Sequence, residues 1–303
     1  MESEPAPRDA VLVINAHSRK GERLFEEART KLGDAGIGLI AAHAVHDPAD
    51  LIPTVTNAVR SGAPMVIVGG GDGSLSRTIG EVIGSDCVFA LLPLGTANSF
   101  ARTLEIPLDL DEAIATIANG VRRRIDLGRI NGHYFANAAS IGISPMIGES
   151  VPHKLKRYLG RFGYFLWAVR CFLRFRPFRL RVNDGTREER WMWATELRIF
   201  NGRFHSGLEF LEDEAIDDGA IVVQAVTGRS LARLVWDWFV RLCGLPARDA
   251  VTEEFRGACF TIETKPRLKV SVDGEVLTRT PANVECAHKA VEVVVPSARR
   301  SPA

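Results

Sequence analysis

A glycine-rich segment at residues 69–73 constrains the fold more than any other part of the sequence. The apolar run 65–68 breaks abruptly into glycines around Asp72, and a helix-compatible pattern resumes at Ser74. We interpret it as a buried strand, a loop and a helix start. Glycines permit positive φ angles and close approach of backbone N–H groups to a ligand, and the helix dipole favours an anion there. The segment predicts a phosphate-binding loop; a strand-to-helix turn without a ligand is the alternative. It is neither a P-loop nor a G-x-G-x-x-G motif.

The same order of strand, polar loop and helix occurs twice more in the first 120 residues. Apolar runs at 11–14 and 88–92 each lead into a polar loop and a helical segment, and further helical segments lie near 48–60 and 111–119. This alternation predicts a parallel sheet covered on both faces. Ligands bind at the carboxyl ends of such strands, so we expect the three polar loops to form one composite site.

The pattern changes near residue 125, where short apolar or alternating runs replace the strand and helix alternation. Turn dipeptides separate these runs, at Asn131-Gly132, Asp184-Gly185, Asp218-Gly219 and Asp273-Gly274. Such spacing predicts a mainly antiparallel β domain of sandwich or barrel type. We therefore predict an α/β domain over residues 1–125 and a β domain over residues 126–303.

Composition excludes several classes of protein. The 303 residues suit about two domains, and 38 Lys and Arg against 37 Asp and Glu argue neither for nor against nucleic acid. Five widely spaced cysteines with no C-x-x-C support neither a disulfide framework nor a thiolate metal site. With no visible signal peptide and no uncharged run long enough to span a bilayer, we predict a cytoplasmic location.

One segment, residues 154–181, stands out by its charge. It carries nine basic residues, no acidic residue and eight aromatic residues, and we predict a helical insert there. Basic residues interleaved with aromatics suit the surface of an anionic membrane. A core helix whose arginines are solvated or paired is an equal alternative. A nucleic-acid groove is a weaker interpretation, and we expect no nucleic-acid partner.

Polar residues in the predicted loops supply candidate chemistry. A carboxylate at Asp72 beside bound phosphates needs a divalent cation or water between them, which favours a Mg²⁺-nucleotide; an Asx turn is the alternative. Ser18, Arg19 and Lys20 offer a hydroxyl and two cations that suit phosphate oxygens, and a solvated loop is the alternative. Thr96 and Asn98 add side-chain contacts or cap a helix.

Two acidic turns in the predicted β domain are ambiguous by themselves. Asp273-Gly274-Glu275 is either a hairpin turn or a catalytic element. Asp217-Asp218-Gly219 is a turn or, with neighbouring carbonyls, a cation site. No histidine shows ligand spacing, and no serine hydrolase pattern occurs.

Five motifs in order resemble the diacylglycerol kinase catalytic family, which groups bacterial diacylglycerol and lipid kinases with sphingosine and ceramide kinases. The likeness extends from about Val11 to Val295. The chain differs from the usual family pattern at Ser76 and Arg77, where Asn-Glu is common. The motifs are Gly70-Gly71-Asp72-Gly73-Ser74, residues 93–102, Asp126-Leu127-Gly128, Asp217-Asp218-Gly219 and Asp273-Gly274-Glu275.

The resemblance implies a three-layer α/β domain, a C-terminal β-sandwich and ATP in the cleft between them. It implies Glu275 as general base, Asp72 as the second catalytic residue, and a structural Mg²⁺ held by Asp218 with carbonyls near Ala215 and Ala220. The residues implied to line the nucleotide are Asn15, Ala16, His17, Ser18, Arg19, Gly70, Gly71, Asp72, Gly73, Ser74, Leu75, Ser76 and Thr96.

The function that this resemblance implies is transfer of the γ-phosphoryl group of ATP, with Mg²⁺, to the hydroxyl of a lipid such as diacylglycerol. The enzyme would then contact the membrane surface peripherally. An NAD kinase-like soluble kinase and a catalytically weak lipid- or nucleotide-binding protein are the alternatives. The sequence leaves the acceptor lipid and a homodimer open.

Overall fold

The computed structural model describes most of the chain. His17, Ser18 and Ala215 lie outside the described residues, as do residues 154–174 of the basic aromatic segment. The side chain of Arg19 is also outside them. The described residues are 4–16, 19–143, 175–185, 190–205, 208–209, 216–230, 232–234 and 252–297.

Four parallel strands form the N-terminal sheet: β1 (Asp9–Asn15), β2 (Gly38–Val45), β3 (Met65–Gly70) and β4 (Val88–Pro93). Their order is β2-β1-β3-β4. Every residue of β3 and β4 is buried, which explains why both sequences are continuous apolar runs instead of alternating ones. The predicted parallel sheet is confirmed.

Two pairs of helices complete the three layers. In the first pair α1 and α5 contact each other and pack on β2 and β4; in the second, α2 and α3 contact each other and pack on β1 and β3. The short helix α4 contacts α3. The helices are α1 (Arg19–Asp34), α2 (Leu51–Arg60), α3 (Asp72–Ile79), α4 (Ser99–Thr103) and α5 (Leu110–Asn119). No helix among the described residues is long and apolar enough to cross a bilayer.

Strand β2 is absent from the sequence-based prediction. It is the edge strand of the sheet, and only Val45 at its end is buried. Because one side of an edge strand faces solvent, its alanines and His43 give no continuous apolar run and no strict alternation.

The C-terminal part is antiparallel and encloses a second apolar core around Phe178, Leu197, Ile199, Ile262 and Val284. Where the structure describes them, the strands of this part pair with one another only in the antiparallel direction, as predicted. Its strands are β5 (Val121–Ile130), β6 (His133–Phe135), β7 (Ala138–Gly142), β8 (Phe178–Asn183), β9 (Met192–Phe200), β10 (Phe204–His205), β11 (Leu208–Glu209), β12 (Ile221–Thr227), β13 (Thr252–Gly257), β14 (Cys259–Lys265), β15 (Lys269–Val272), β16 (Glu275–Arg279) and β17 (Ala282–Val295).

The end of the basic aromatic segment differs from the prediction. Residues 178–181 belong to strand β8, so the helical insert predicted over residues 154–181 is wrong there. Phe178, Leu180 and Val182 are buried and alternate with partly exposed residues. This period of two is the pattern of a strand with one buried face.

Two of the predicted turns form tight hairpins. Asn131 (φ 46°) and Gly132 (φ 89°) connect β5 to β6, and Asp273 (φ 44°) and Gly274 (φ 93°) connect β15 to β16. Two consecutive positive φ angles define the turn that matches the strand twist, and Asn-Gly and Asp-Gly are the sequences that adopt it most readily.

The last strand joins the two parts of the molecule. β17 pairs with β5 along residues 121–130 and also lies parallel to β4, where Val293 is opposite Phe89. The C-terminal end of the chain thus completes the N-terminal sheet. Residue 125, the predicted domain boundary, lies inside β5.

Candidate active site

The glycine loop connects β3 to α3, and Gly71 is the N-cap residue in an extended conformation. None of the glycines in residues 69–73 has a positive φ angle, so the expectation that the loop uses this backbone freedom is wrong. Glycine is needed instead at Gly70 and Gly95 because a side chain there would collide with neighbouring atoms. A Cβ at Gly70 would lie 2.6 Å from the Cβ of Ser74, and a Cβ at Gly95 would lie 2.5 Å from the Cα of Gly71. The loops after β3 and β4 therefore touch backbone to backbone.

Side-chain hydrogen bonds join the loops that follow β1, β3 and β4. Asn15 Nδ2, at the end of β1, donates to Ser74 Oγ in the first turn of α3 (3.0 Å). The backbone N–H of Phe100 in α4 donates to Asp72 Oδ1 (3.0 Å). The structure thus brings the three predicted polar loops together at one edge of the sheet.

Asp72 braces the glycine loop against the start of α4. Its carboxylate accepts from the backbone N–H of Phe100 in α4, so the Asx turn considered as an alternative is not what the carboxylate forms. Among the described residues, none donates a hydrogen bond to Oδ2 of Asp72. Binding of a Mg²⁺-nucleotide by Asp72 stays a prediction.

Asn98 shapes the loop after β4. It adopts a left-handed conformation (φ 47°) at the N-cap position of α4 without a side-chain capping bond. Its Oδ1 accepts from the N–H of Gly95 (2.9 Å), and its Nδ2 donates to the carbonyls of Gly95 (3.0 Å) and Pro93 (3.2 Å). Thr96 projects from this loop as an exposed residue.

Two residues of the predicted nucleotide site can contribute only their backbone. The side chain of Leu75 is fully buried in the N-terminal core. Ala16 is also buried, and its N–H donates to the carbonyl of Val45 (2.7 Å). Arg19 is the first residue of α1.

A cavity of about 500 Å³ lies between α3 and two hairpin turns of the C-terminal part. Gly73, Ser76 and Arg77 of α3 form one wall, and Asp273 and Glu275 form part of the opposite wall. A larger groove of about 600 Å³ between α1 and β2 contains none of the predicted site residues. The smaller cavity is therefore the candidate active site.

Glu275 faces α3 across this cavity. It is the first residue of β16, directly after the Asp273-Gly274 turn. Its carboxylate Oε1 lies 3.8 Å from Nη1 of Arg77, and the two side chains are 49% and 36% exposed. This distance exceeds a hydrogen bond, so the carboxylate is accessible to a hydroxyl group that enters the cavity.

Asp273 anchors the turn that presents Glu275. Its carboxylate accepts from the backbone N–H groups of Ala136 (2.9 Å), Asn137 (3.2 Å) and Ala138 (2.9 Å), and from the hydroxyl of Ser76 on α3. Burial raises the pKa of Asp273, and these four donors oppose that shift by favouring the ionised form. Because one carboxylate binds both α3 and the start of β7, it fixes the width of the cavity.

The second acidic turn has arginine partners. Arg123 contacts Asp217 (2.8 Å), and Arg256 contacts Oδ2 of Asp218 (2.6 Å). Oδ1 of Asp218 accepts from the N–H of Ala220 (2.9 Å). Both oxygens of Asp218 therefore have protein partners among the described residues.

Among the described residues, no group of three or more His, Cys, Asp or Glu side chains could hold a metal ion. Mg²⁺ can be bound with fewer protein ligands, because it often binds one or two carboxylates together with substrate phosphates. The open oxygen of Asp72 fits this mode. The surroundings of Asp218 and Ala220 do not fit it, so no role is derived for a metal there.

Comparison with protein-family models identifies both halves of the chain. Residues 9–130 match the diacylglycerol kinase catalytic domain, and residues 137–295 match the YegS C-terminal NAD kinase beta sandwich-like domain. The chain belongs to the diacylglycerol kinase catalytic family, and it is a kinase.

Individual relatives agree with the family models over nearly their whole length. The chain is 30% identical over 299 residues to a protein of Salmonella arizonae named probable lipid kinase YegS, covering 95% of this chain and 96% of the relative. It is 26% identical over 264 residues to diacylglycerol kinase of Bacillus subtilis, covering 84% and 86%. A crystal structure of a diacylglycerol kinase from Bacillus anthracis has the same fold, with a TM-score of 0.74 at 19% identity over 96% of this chain and 98% of that one.

Proposed function

We propose that this kinase transfers the γ-phosphoryl group of ATP to a hydroxyl group of a lipid such as diacylglycerol, with Mg²⁺ and with Glu275 as general base. The observation that carries the proposal is the position of Glu275. A strand turn places its carboxylate in a cavity whose other wall is the helix that follows the glycine loop. A proton acceptor thus faces a phosphate-binding element.

The donor side is formed by the glycine loop and the first turn of α3. The first hydrogen bond of this turn runs from the N–H of Ser74 to the carbonyl of Gly71 (2.9 Å), so the N–H groups of Asp72 and Gly73 precede it and point beyond the helix end. These groups and the helix dipole favour an anion. Mg²⁺ bound beside Asp72 would neutralise charge on the phosphates.

The acceptor side is formed by the hairpin of β15 and β16. Glu275 would take the proton of the attacking hydroxyl, which contributes about 10²–10⁴-fold in rate for a well-placed base. Asp273 holds the turn, so the carboxylate and the phosphate site keep a fixed separation. Ile52 and Leu277 supply apolar surface to the same cavity, and Leu277 is an exposed large hydrophobic residue.

A lipid acceptor is supported by the names of the relatives, which are diacylglycerol kinases and a lipid kinase. The apolar residues beside Glu275 suit an alcohol with an attached acyl chain. The basic aromatic segment suits an anionic bilayer that supplies such an alcohol.

The test measures transfer of labelled phosphate from ATP with Mg²⁺ to diacylglycerol in detergent micelles or to NAD. A reaction in buffer without either acceptor is the control. The proposal predicts a labelled lipid and no labelled NAD. Labelled NAD without lipid would favour the soluble kinase, and ATP binding without any product would favour a binding protein.

Sedimentation of the protein with anionic vesicles tests the membrane contact. Neutralising Arg157, Arg161, Arg170 and Arg174 is expected to reduce it, and an unchanged bound fraction would contradict that contact.

A pair of glycine substitutions tests whether phosphate lies on α3. Gly73 and Gly33 both lie inside helices, and a Cβ at either meets nothing within 4 Å. Alanine at each position should therefore stabilise the fold, by up to about 1 kcal/mol. Only Gly73→Ala is expected to weaken ATP binding, because the added methyl lies beside the bound phosphates. Equal ATP dissociation constants for the two variants would place the nucleotide elsewhere.

A further inference from the structure

Arg77 is the only Lys or Arg among the described residues that line the candidate active site. It lies on α3 with Gly73 and Ser76, at helical spacings that place the three residues on one face. The other charged residues described in the lining are Glu81, Asp273 and Glu275, all acidic, together with His133. One guanidinium therefore faces a wall of carboxylates.

The direction of the side chain favours the phosphate site. In a helix the Cα–Cβ bond tilts toward the N-terminus, and long side chains extend over the preceding turn. For Arg77 that turn contains Gly73, which leaves space beside it because a Cβ there meets nothing within 4 Å. A guanidinium extended in this direction would lie beside the helix end at which the dipole favours an anion.

The contact between Arg77 and Glu275 is too weak to explain the position of the arginine. The two groups are 3.8 Å apart and partly exposed, and ion pairs of this kind contribute little to stability. By contrast, Arg198 is buried and bonds Glu196 through both Nε (3.0 Å) and Nη2 (2.6 Å). Arg198 therefore uses its N–H donors on Glu196, whereas the N–H donors of Arg77 can still bind a ligand.

The geometry points to Arg77 as a catalytic residue that binds the terminal phosphate of ATP and stays in contact with that group during transfer. The inference rests on the proposed function for the identity of the nucleotide. A guanidinium suits this task because its fork of donors can contact two phosphate oxygens at once.

The reaction step balances without another reactant. The acceptor oxygen forms a bond to the γ-phosphorus as its proton passes to Glu275, and the bond from phosphorus to the β,γ-bridging oxygen breaks, with its electron pair leaving on ADP. Negative charge is spread over the oxygens of the phosphoryl group while it is being transferred. Arg77 offsets that charge and remains protonated throughout.

The test compares the affinities of ATP and ADP for the full-length protein by calorimetry, a readout that needs no acceptor. Arg77→Gln is expected to weaken ATP binding by about tenfold or more, the effect of losing a charged hydrogen bond, and to change ADP binding by less than about twofold. Arg77→Lys should restore part of the ATP affinity, since it keeps the charge without the fork. Arg29→Gln is the control, because Arg29 pairs with Glu26 on α1 away from the cavity.

A further variant separates direct binding from support of Glu275. Under the inference, Glu275→Gln binds ATP at least as tightly as the unaltered protein, because Arg77 loses a competing partner. If Arg77→Gln changes ATP and ADP affinities equally, or changes neither, the inference is overturned. A different outcome is that Arg77→Gln loses ATP affinity as predicted while the unaltered protein phosphorylates no lipid. This outcome would overturn the proposed acceptor and leave the role of Arg77 supported.

Discussion

The two acidic turns of the C-terminal part have similar sequences and different surroundings. Asp217-Asp218-Gly219 meets two arginines, Arg123 and Arg256, within 3 Å of its carboxylates. At the other turn Asp273 meets backbone N–H groups and a hydroxyl, and Glu275 has one arginine at 3.8 Å. The first turn is neutralised by close ion pairs, whereas the second keeps a carboxylate available for chemistry.

The difference lies in what the distant parts of the chain bring to each turn. Arg123 belongs to β5, where it lies opposite Val293 of β17, and Arg256 belongs to β13, where it lies opposite Val222 of β12. Ser76, which meets Asp273, belongs to the helix after the glycine loop. The catalytic role that we propose for the second turn, and not for the first, therefore rests on the partners of each turn and not on its own sequence.

The largest expected difference between the turns is in stability. Asp273→Ala removes the acceptor of three backbone N–H groups and places alanine at a positive φ, so we expect a loss of about 2–4 kcal/mol in the free energy of unfolding. Asp218→Ala loses a partly exposed ion pair and one local bond, so we expect about 1 kcal/mol. Urea denaturation measures both values.

A milder change, Asp273→Asn, keeps a side chain that tolerates positive φ and gives up one acceptor oxygen. Its loss should lie between those two values, with lower turnover in the folded protein because the turn shifts. Equal destabilisation by Asp273→Ala and Asp218→Ala would show that the two turns do not differ as described.

A second, smaller difference concerns metal. Because Arg256 engages Asp218, we expect Mg²⁺ without nucleotide to raise the melting temperature by less than about 1 °C, a change worth well under 1 kcal/mol. Asp218→Asn should leave that small response unchanged. A clear rise with Mg²⁺ that Asp218→Asn abolishes would establish the structural metal site that the family resemblance implies.

The smallest effect concerns the cysteine beside the arginine-paired turn. Burial raises the pKa of Cys286 to about 12, and the carboxylates of Asp126 and Asp218 add to that shift. Since the thiolate is the reactive form, Cys286 should alkylate at pH 8 at least about tenfold more slowly than the exposed Cys259. Peptide mass spectrometry measures both rates. Comparable rates would mean that Cys286 is not shielded as described.

Local sequence signals predicted the elements that depend on local chemistry. The buried strands β3 and β4 follow from continuous apolar runs, and the hairpin turns at 131–132 and 273–274 follow from residues that tolerate positive φ. The glycine loop was also located by its composition, although Gly70 serves close packing and no glycine of the loop has a positive φ. The edge strand β2 gave no such signal. The end of the basic aromatic segment was also misassigned, because charge and aromatic content obscured the period-two pattern of Phe178, Leu180 and Val182.

The site was predictable in its parts but not in its contacts. The sequence singled out Asp72 and Glu275, yet gave no sign that Asp273 binds Ser76, 197 positions earlier in the chain. Nor could it show that β17 returns to complete the N-terminal sheet, because strand order depends on contacts between distant segments. The role proposed for Arg77 has no motif of its own and is inferred from the residues that line the cavity.

We propose that the turn at 273–275 takes part in the reaction and that the turn at 217–219 does not. The most direct test is the single-turnover rate of phosphoryl transfer, measured with Glu275→Gln and Asp218→Asn side by side at saturating ATP. The account predicts a loss of about 10²–10⁴-fold for Glu275→Gln, with the ATP dissociation constant not increased, and less than about threefold for Asp218→Asn. Unchanged transfer in Glu275→Gln, or an equal loss in both variants, would contradict it.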